Sequence, residues 1–64
     1  MEFDDFLSKL SNPARRALEC EGVKGFVKLA AFNRMELLKI HGIGPKSLQI
    51  IEHCLESIGL RLSD

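Results

Sequence analysis

The residues best suited by type and spacing to do chemistry lie in one short stretch, Gly42-Ile43-Gly44-Pro45-Lys46-Ser47. Two glycines two positions apart, followed by a proline, predict a tight turn that opens directly into a helix. The free N–H groups and the dipole at such a helix start attract anions, and phosphate above all. Lys46 and Ser47, in the first helical turn, add a positive charge and a hydroxyl donor. The stretch is therefore a candidate site for a nucleic-acid backbone, bound without reading bases.

The same stretch also has a purely architectural interpretation. Gly-x-Gly-Pro is a common connection between two helices, and glycine followed by proline is ordinary at a helix start. In this interpretation Ile43 fills the space between the helices, and the glycines serve only the sharp bend. The turn taken alone does not decide between the two interpretations.

Other residues with reactive side chains are not arranged for a metal or for catalysis. The two histidines and two cysteines show none of the short paired spacings of zinc sites; they are His41, His53, Cys20 and Cys54. No carboxylate pair has an apolar setting, and no serine or cysteine has a base at a recognisable spacing. We therefore expect no enzyme activity, no metal and no cofactor. His41, beside the turn, is a candidate donor to phosphate when protonated, and otherwise an ordinary turn residue.

Arg15 and Arg16 are a second source of positive charge. Neighbours on a helix point about 100° apart, so only one of the two can face a phosphate backbone squarely, and each can instead be a solvated charge. Nine Lys and Arg balance nine Asp and Glu, which counts against indiscriminate nucleic-acid binding. Residues 13–46 nevertheless hold seven of the cations and only three of the acidic residues. A basic middle between two acidic ends is the expected charge distribution.

Helical periodicity runs along the chain, and no segment alternates convincingly as a strand would. A short amphipathic helix is predicted within residues 1–10. A second helix starts at Ser11 or Asn12 with Pro13 in its first turn, and ends at Gly22, which is free to take positive φ. A third short helix is expected after the turn that closes at Gly25.

The turn of interest lies between two further predicted helices. Asn33 followed by Glu36 predicts a capping box at the start of the first. Pro45 opens the second and longest, which Gly59 ends, so that residues 34–58 form one helix–turn–helix unit. The tail after Gly59 is expected to fold back on the core. We predict a single all-α domain over residues 1–64, with four or five helices and four phenylalanines supplying most of the large core volume.

About fifteen residues around the turn resemble the helix-hairpin-helix motif, in which a hydrophobic–Gly–hydrophobic–Gly hairpin meets the minor-groove backbone of DNA. The residues that carry this resemblance are Leu37, Ile40, Gly42, Ile43, Gly44, Pro45, Lys46, Ser47 and Ile51. A wider resemblance runs from Leu10 almost to the end of the chain. "LSNPARRALECEGV" and then "LLKIHGIGPKSLQIIEHCLESIGLRL" are similar to the C-terminal domain of the bacterial RNA polymerase α subunit.

This resemblance implies a compact SAM-like helical fold that touches the DNA minor groove and can bind RNA polymerase or regulatory proteins. Gly44, Lys46 and Ser47 match the family's DNA contacts in the hairpin. The family's key arginine in the first helix falls at Pro13, and its asparagine falls at Arg16, so an arginine here is a substitution and not a match. The departure counts against sequence-preferring recognition and favours a small free-standing bacterial relative.

The sequence therefore leads to two expected functions. The first is non-catalytic, weak and largely sequence-independent DNA binding, related to transcription. The residues expected to contact DNA are Arg15, Arg16, His41, Gly42, Ile43, Gly44, Lys46 and Ser47. The alternative is a protein-interaction module that docks on a transcription or DNA-repair protein without binding DNA, which the zero net charge and the acidic ends favour.

The chain is further expected to be a cytoplasmic monomer that does not enter a membrane. No apolar run approaches the about 20 residues that a membrane-spanning helix needs. Two cysteines are too few for a disulfide framework, so reduced thiols are expected, with a Cys20–Cys54 bridge left open.

Overall fold

The computed structural model describes residues 2–63, and the regular elements in that range are helices. They are α1 (Phe3–Leu7), α2 (Asn12–Cys20), α3 (Phe26–Ala30), α4 (Arg34–Lys39) and α5 (Pro45–Ser57). Between residues 2 and 63 there is no β-strand, and extended backbone pairs only in an isolated parallel bridge between Asn33 and Ser63. The prediction of an all-α chain with four or five helices is confirmed.

Local side-chain chemistry fixes where α2 and α4 begin. The Ser11 hydroxyl accepts a hydrogen bond from the Ala14 N–H at 3.4 Å, ahead of a proline in the first turn of α2. At α4, Asn33 Oδ1 accepts from the Glu36 N–H at 2.8 Å, and Glu36 Oε1 accepts from the Asn33 N–H at 2.9 Å. This reciprocal pair is the predicted capping box. Because both starts satisfy N–H groups that the helix leaves unpaired, they stabilise short helices that would otherwise be marginal.

The core draws on every helix. Six large side chains are fully buried, one from each of the first four helices and two from α5: Phe6, Leu18, Leu29, Leu37, Ile51 and Leu55. Burying a side chain of this size contributes roughly 1.5–3 kcal/mol, so five short elements share one hydrophobic cluster that none of them has alone. Val23 and Ile43, each in a turn between helices, are also buried in it. The two turns are thereby attached to the core.

The two ends of the described chain are held by different means. The rings of Phe3, Phe6 and Phe26 have centroids 5.0–5.6 Å apart and join α1 to α3. At the other end the Ser63 N–H donates to the carbonyl oxygens of Ala30 and Phe32 at 3.1 and 3.0 Å. The prediction that the tail folds back on the core is confirmed.

The structure shows that the two cysteines are not joined and that no described helix could span a membrane. Cys54 is buried in the core and Cys20 is exposed, and both are free, so the alternative of a Cys20–Cys54 bridge is wrong. Among residues 2–63, no helix has the length and apolar character needed to cross a membrane.

Candidate functional site

The turn between α4 and α5, here called the α4–α5 turn (His41–Gly44), has a defined conformation. Gly42 has φ +102°, in the left-handed region that glycine enters at little cost. The next residue, Ile43, is only 5% exposed, and its N–H donates to the Ile40 carbonyl at 3.1 Å. Gly44 then has φ −112° and is the N-cap of α5. The buried isoleucine thus anchors the turn between two glycines with different backbone conformations.

The surroundings of the two glycines also differ. A Cβ built on Gly42 would lie 2.7 Å from the carbonyl oxygen of Pro13 and 3.4 Å from the Cβ of Ala17. A Cβ on Gly44 would meet nothing within 4 Å. Gly42 is therefore the position at which the turn packs against the start of α2. Gly44 leaves a bare backbone surface in front of α5.

The start of α5 is open. Pro45 brings no N–H, and the first helical hydrogen bond runs from the Leu48 N–H to the Gly44 carbonyl at 3.0 Å. The N–H groups of Lys46 and Ser47 precede that bond, and no side chain within residues 2–63 caps them. α5 is also the longest helix, with 13 residues. An uncapped start of a long helix carries the partial positive charge that attracts an anion.

The side chains near this start differ in exposure. Lys46 is exposed, so its ammonium group reaches the solvent in front of the turn. Ser47 is only 9% exposed and Ile43 only 5%. Any contact by Ile43 has to come from its backbone, and Ser47 has only a small part of its surface through which to reach a ligand.

A groove between α2 and the turn, here called the α2–turn groove, brings three of the predicted contact residues together. Arg16 and Cys20 line one wall of this groove, and His41 and Gly42 line the other. Arg16 and His41 are both exposed, while Glu21 adds one carboxylate to the α2 side. The structure thus places one arginine of α2 beside the turn.

Arg15 takes a different direction. Its Nη2 donates to Asn12 Oδ1 at 2.8 Å, and it lines a second groove, between α1 and α2, together with Lys24. Arg16 borders both grooves. Both arginines line the groove between α1 and α2, and of the pair only Arg16 lines the α2–turn groove.

One pairing that matters for the site is missed by the sequence. The Pro13 carbonyl lies against Gly42, which ties the start of α2 to the turn. A glycine at a helix end is explained by its positive φ alone, so its identity gives no hint of a close backbone approach from elsewhere in the chain. Within residues 2–63, no three His, Cys, Asp or Glu side chains lie close enough together to hold a metal ion.

Comparison with known proteins assigns no family to this chain. No protein-family model matches it, and searches of curated proteins and of solved structures also find no match. The resemblance to the helix-hairpin-helix motif and to the polymerase α domain stays a prediction from the sequence. The function has to be inferred from the turn, the open start of α5 and the groove beside them.

Proposed function

We propose that this protein is a non-catalytic DNA-binding protein that contacts the minor-groove phosphate backbone, weakly and largely independently of sequence. The observation that carries the proposal is the open start of α5, where bare Gly44 and exposed Lys46 precede the first helical hydrogen bond. In this proposal α4, the turn and α5 form a helix-hairpin-helix motif. The fold in this proposal is that of a bacterial relative of the polymerase α C-terminal domain, with a role in transcription.

The binding mode follows from the groups at the turn. A phosphate oxygen accepts hydrogen bonds from the N–H groups of Lys46 and Ser47, because nothing in the helix uses them. Gly44 allows the phosphate to approach because it has no Cβ in the way. The Lys46 ammonium adds a charge-assisted contact. These contacts position a backbone and carry no base information, so the binding is largely sequence-independent.

A second contact comes from the α2–turn groove. Arg16 and His41 flank it, and Arg34–Glu52, elsewhere on the surface, is the only ion pair within residues 2–63. The Arg16 guanidinium is thus available to a neighbouring phosphate. The close packing of Gly42 on Pro13 holds α2 and the turn in a fixed relation, so both cationic elements meet the DNA without a large ordering cost.

The affinity is low and strongly dependent on salt. A formal net charge of zero gives little long-range attraction to DNA. With about three to five phosphate contacts, the slope of log K against log salt is about −3. This salt dependence distinguishes backbone binding from an apolar interface, which has a slope near zero.

The direct test is a low-salt NMR titration of the labelled protein with a short random duplex. We expect chemical-shift changes at residues 42–47 and at Arg16 that fade as salt rises.

The Lys46→Ala variant should weaken binding for every duplex sequence and reduce the magnitude of the salt slope by about one, because it removes one phosphate contact. Fluorescence anisotropy with labelled duplexes across a salt series measures both. The matched control is Lys28→Ala, an exposed lysine of α3 that lines neither groove. Equal effects of the two substitutions, or a wild-type slope near zero, contradict the proposed mode.

The alternative function is a protein-interaction module that docks on a transcription or DNA-repair protein. One observation favours it: three large apolar side chains of α3 and α4 are exposed, namely Val27, Met35 and Leu38. In this case the α4–α5 turn is architectural, and its resonances do not move even at millimolar duplex. The same titration therefore separates the two functions.

A further inference from the structure

The groove between α1 and α2, here called the α1–α2 groove, has an apolar lining and a charged rim. Phe3 and Leu7 of α1 are half-buried and leave part of their surface in it, beside the buried Val23. Covering such partly exposed apolar surface with a partner removes it from water and so favours binding. Arg16 borders both this groove and the α2–turn groove, and no residue of the α4–α5 turn lines the α1–α2 groove.

Three cations stand around this apolar surface: Arg15, Arg16 and Lys24. Asp4 and Glu19 also line the groove, so its wall has a net charge of +1. Neither carboxylate pairs with a cation, because the one ion pair between residues 2 and 63 is Arg34–Glu52. The rim thus keeps a net charge of +1, and none of its three cations is held in an ion pair within residues 2–63.

Arg15 is the best prepared of the three. It is half-buried, and its Nη2 is oriented by the 2.8 Å hydrogen bond to Asn12 Oδ1. A guanidinium held in place loses less freedom when it pairs with a carboxylate, and its remaining N–H groups stay free for a two-point contact.

We propose that the α1–α2 groove binds an acidic, amphipathic segment of a partner protein. Apolar side chains of the segment cover Phe3 and Leu7, and its carboxylates pair with Arg15 and Lys24. This pairing of an apolar stripe with flanking charges is how amphipathic helices enter hydrophobic grooves. The site shares Arg16 with the proposed DNA contacts but contains no residue of the α4–α5 turn, and it stands whether or not that turn binds DNA.

A DNA backbone fits this groove less well. Contact between Phe3 or Leu7 and polar phosphates and sugars contributes little binding free energy. A leucine or phenylalanine of a partner protein would bury the same apolar surface against another apolar side chain and contribute more. A continuous line of phosphates would also pass the carboxylates of Asp4 and Glu19. A peptide can place its few carboxylates beside the cations and avoid them.

The test uses the full chain and two synthetic helical peptides of glutamate and alanine. One carries two leucines four positions apart, which fall on one face of a helix. The other has serine at both positions. We expect the leucine peptide to shift the amide resonances of Phe3, Leu7, Arg15 and Lys24 in an NMR titration, and to bind at least about fivefold more tightly than the serine peptide.

Charge reversal locates the site. Arg15→Glu and Lys24→Glu should each weaken the leucine peptide about fivefold or more, because one attraction is lost and a repulsion is gained. Lys28→Glu makes the same change in net charge at an exposed position of α3 that does not line the groove, and it should change affinity less than twofold. Lys24 is exposed, so its variant is expected to fold, which thermal unfolding checks.

Four outcomes overturn the proposal: no binding of the leucine peptide, equal binding of the two peptides, equal effects of Lys24→Glu and Lys28→Glu, or groove shifts with a DNA duplex but not with the peptide. The last outcome assigns the groove to DNA instead. Lys46→Ala should leave peptide affinity unchanged, so failure of the DNA proposal and failure of this one are told apart.

Discussion

Two turns of this protein have the same local design. In the α2–α3 turn, Gly22 has φ +76°, and in the α4–α5 turn, Gly42 has φ +102°. The residue after each glycine is β-branched and buried, and each following helix has a glycine as its N-cap. Local chemistry alone would assign the two turns the same role.

Their surroundings make them different. A Cβ on Gly22 would meet nothing within 4 Å, whereas one on Gly42 would meet the Pro13 carbonyl. The first turn opens a helix of five residues and the second a helix of 13. Val27, 80% exposed, stands two positions after the N-cap glycine of α3, where α5 has Lys46. The same bend therefore meets another helix closely only in the α4–α5 turn, and only there does a cation stand two positions after the N-cap glycine.

The largest expected difference between the turns is in stability. Gly42→Ala should lower the free energy of unfolding by about 3 kcal/mol or more, because positive φ strains alanine and the new Cβ also collides with a backbone oxygen that cannot move freely. Gly22→Ala should cost only the strain, about 1–2 kcal/mol. Urea unfolding of both variants measures the difference. If both variants lose the same free energy of unfolding, α2 can move to accommodate the new Cβ, and the contact with Pro13 does not restrict residue 42.

Much of the fold can be predicted from the sequence because it is set by neighbours along the chain. The Asn33–Glu36 capping box joins residues three positions apart, and Gly22 and Gly59 end helices by their own backbone freedom. The 3.6-residue apolar period predicts which faces are buried, including Cys54 in α5. Such features need no knowledge of the tertiary structure.

The different surroundings of the individual residues in the candidate site cannot be predicted from neighbours along the chain. Gly42 and Gly44 look alike in the sequence, but they differ in backbone φ, and only a Cβ on Gly42 would meet the Pro13 carbonyl. The low exposure of Ser47 and the presence of Arg16, but not Arg15, in the α2–turn groove likewise depend on helix packing. Periodicity places residues on a face of a helix but does not say which other element lies opposite.

Alanine substitutions at the two N-cap glycines are expected to have a smaller effect, on DNA affinity and not on stability. Gly25 and Gly44 have extended or near-extended φ and open space around a Cβ, so alanine at either should change the free energy of unfolding by less than about 1 kcal/mol. Gly44→Ala should nevertheless weaken binding to a DNA duplex about tenfold, because its methyl group separates the α5 N–H groups from phosphate. Anisotropy titrations compare the two variants. If Gly25→Ala and Gly44→Ala bind the DNA duplex with equal affinity, Gly44 is not one of the DNA contacts.

The smallest expected effect tests whether helix stability alone could mimic that loss. Asn33→Ala removes the capping box of α4, the helix that leads into the turn, and should lower the free energy of unfolding by about 1 kcal/mol. It leaves the turn and the start of α5 as they are, so DNA affinity should stay within about twofold of the wild type. Chemical unfolding and anisotropy on the same samples measure both quantities. If Asn33→Ala weakens DNA binding as much as Gly44→Ala does, general loosening of α4 and α5 explains the loss, and the open helix start has no special part in binding.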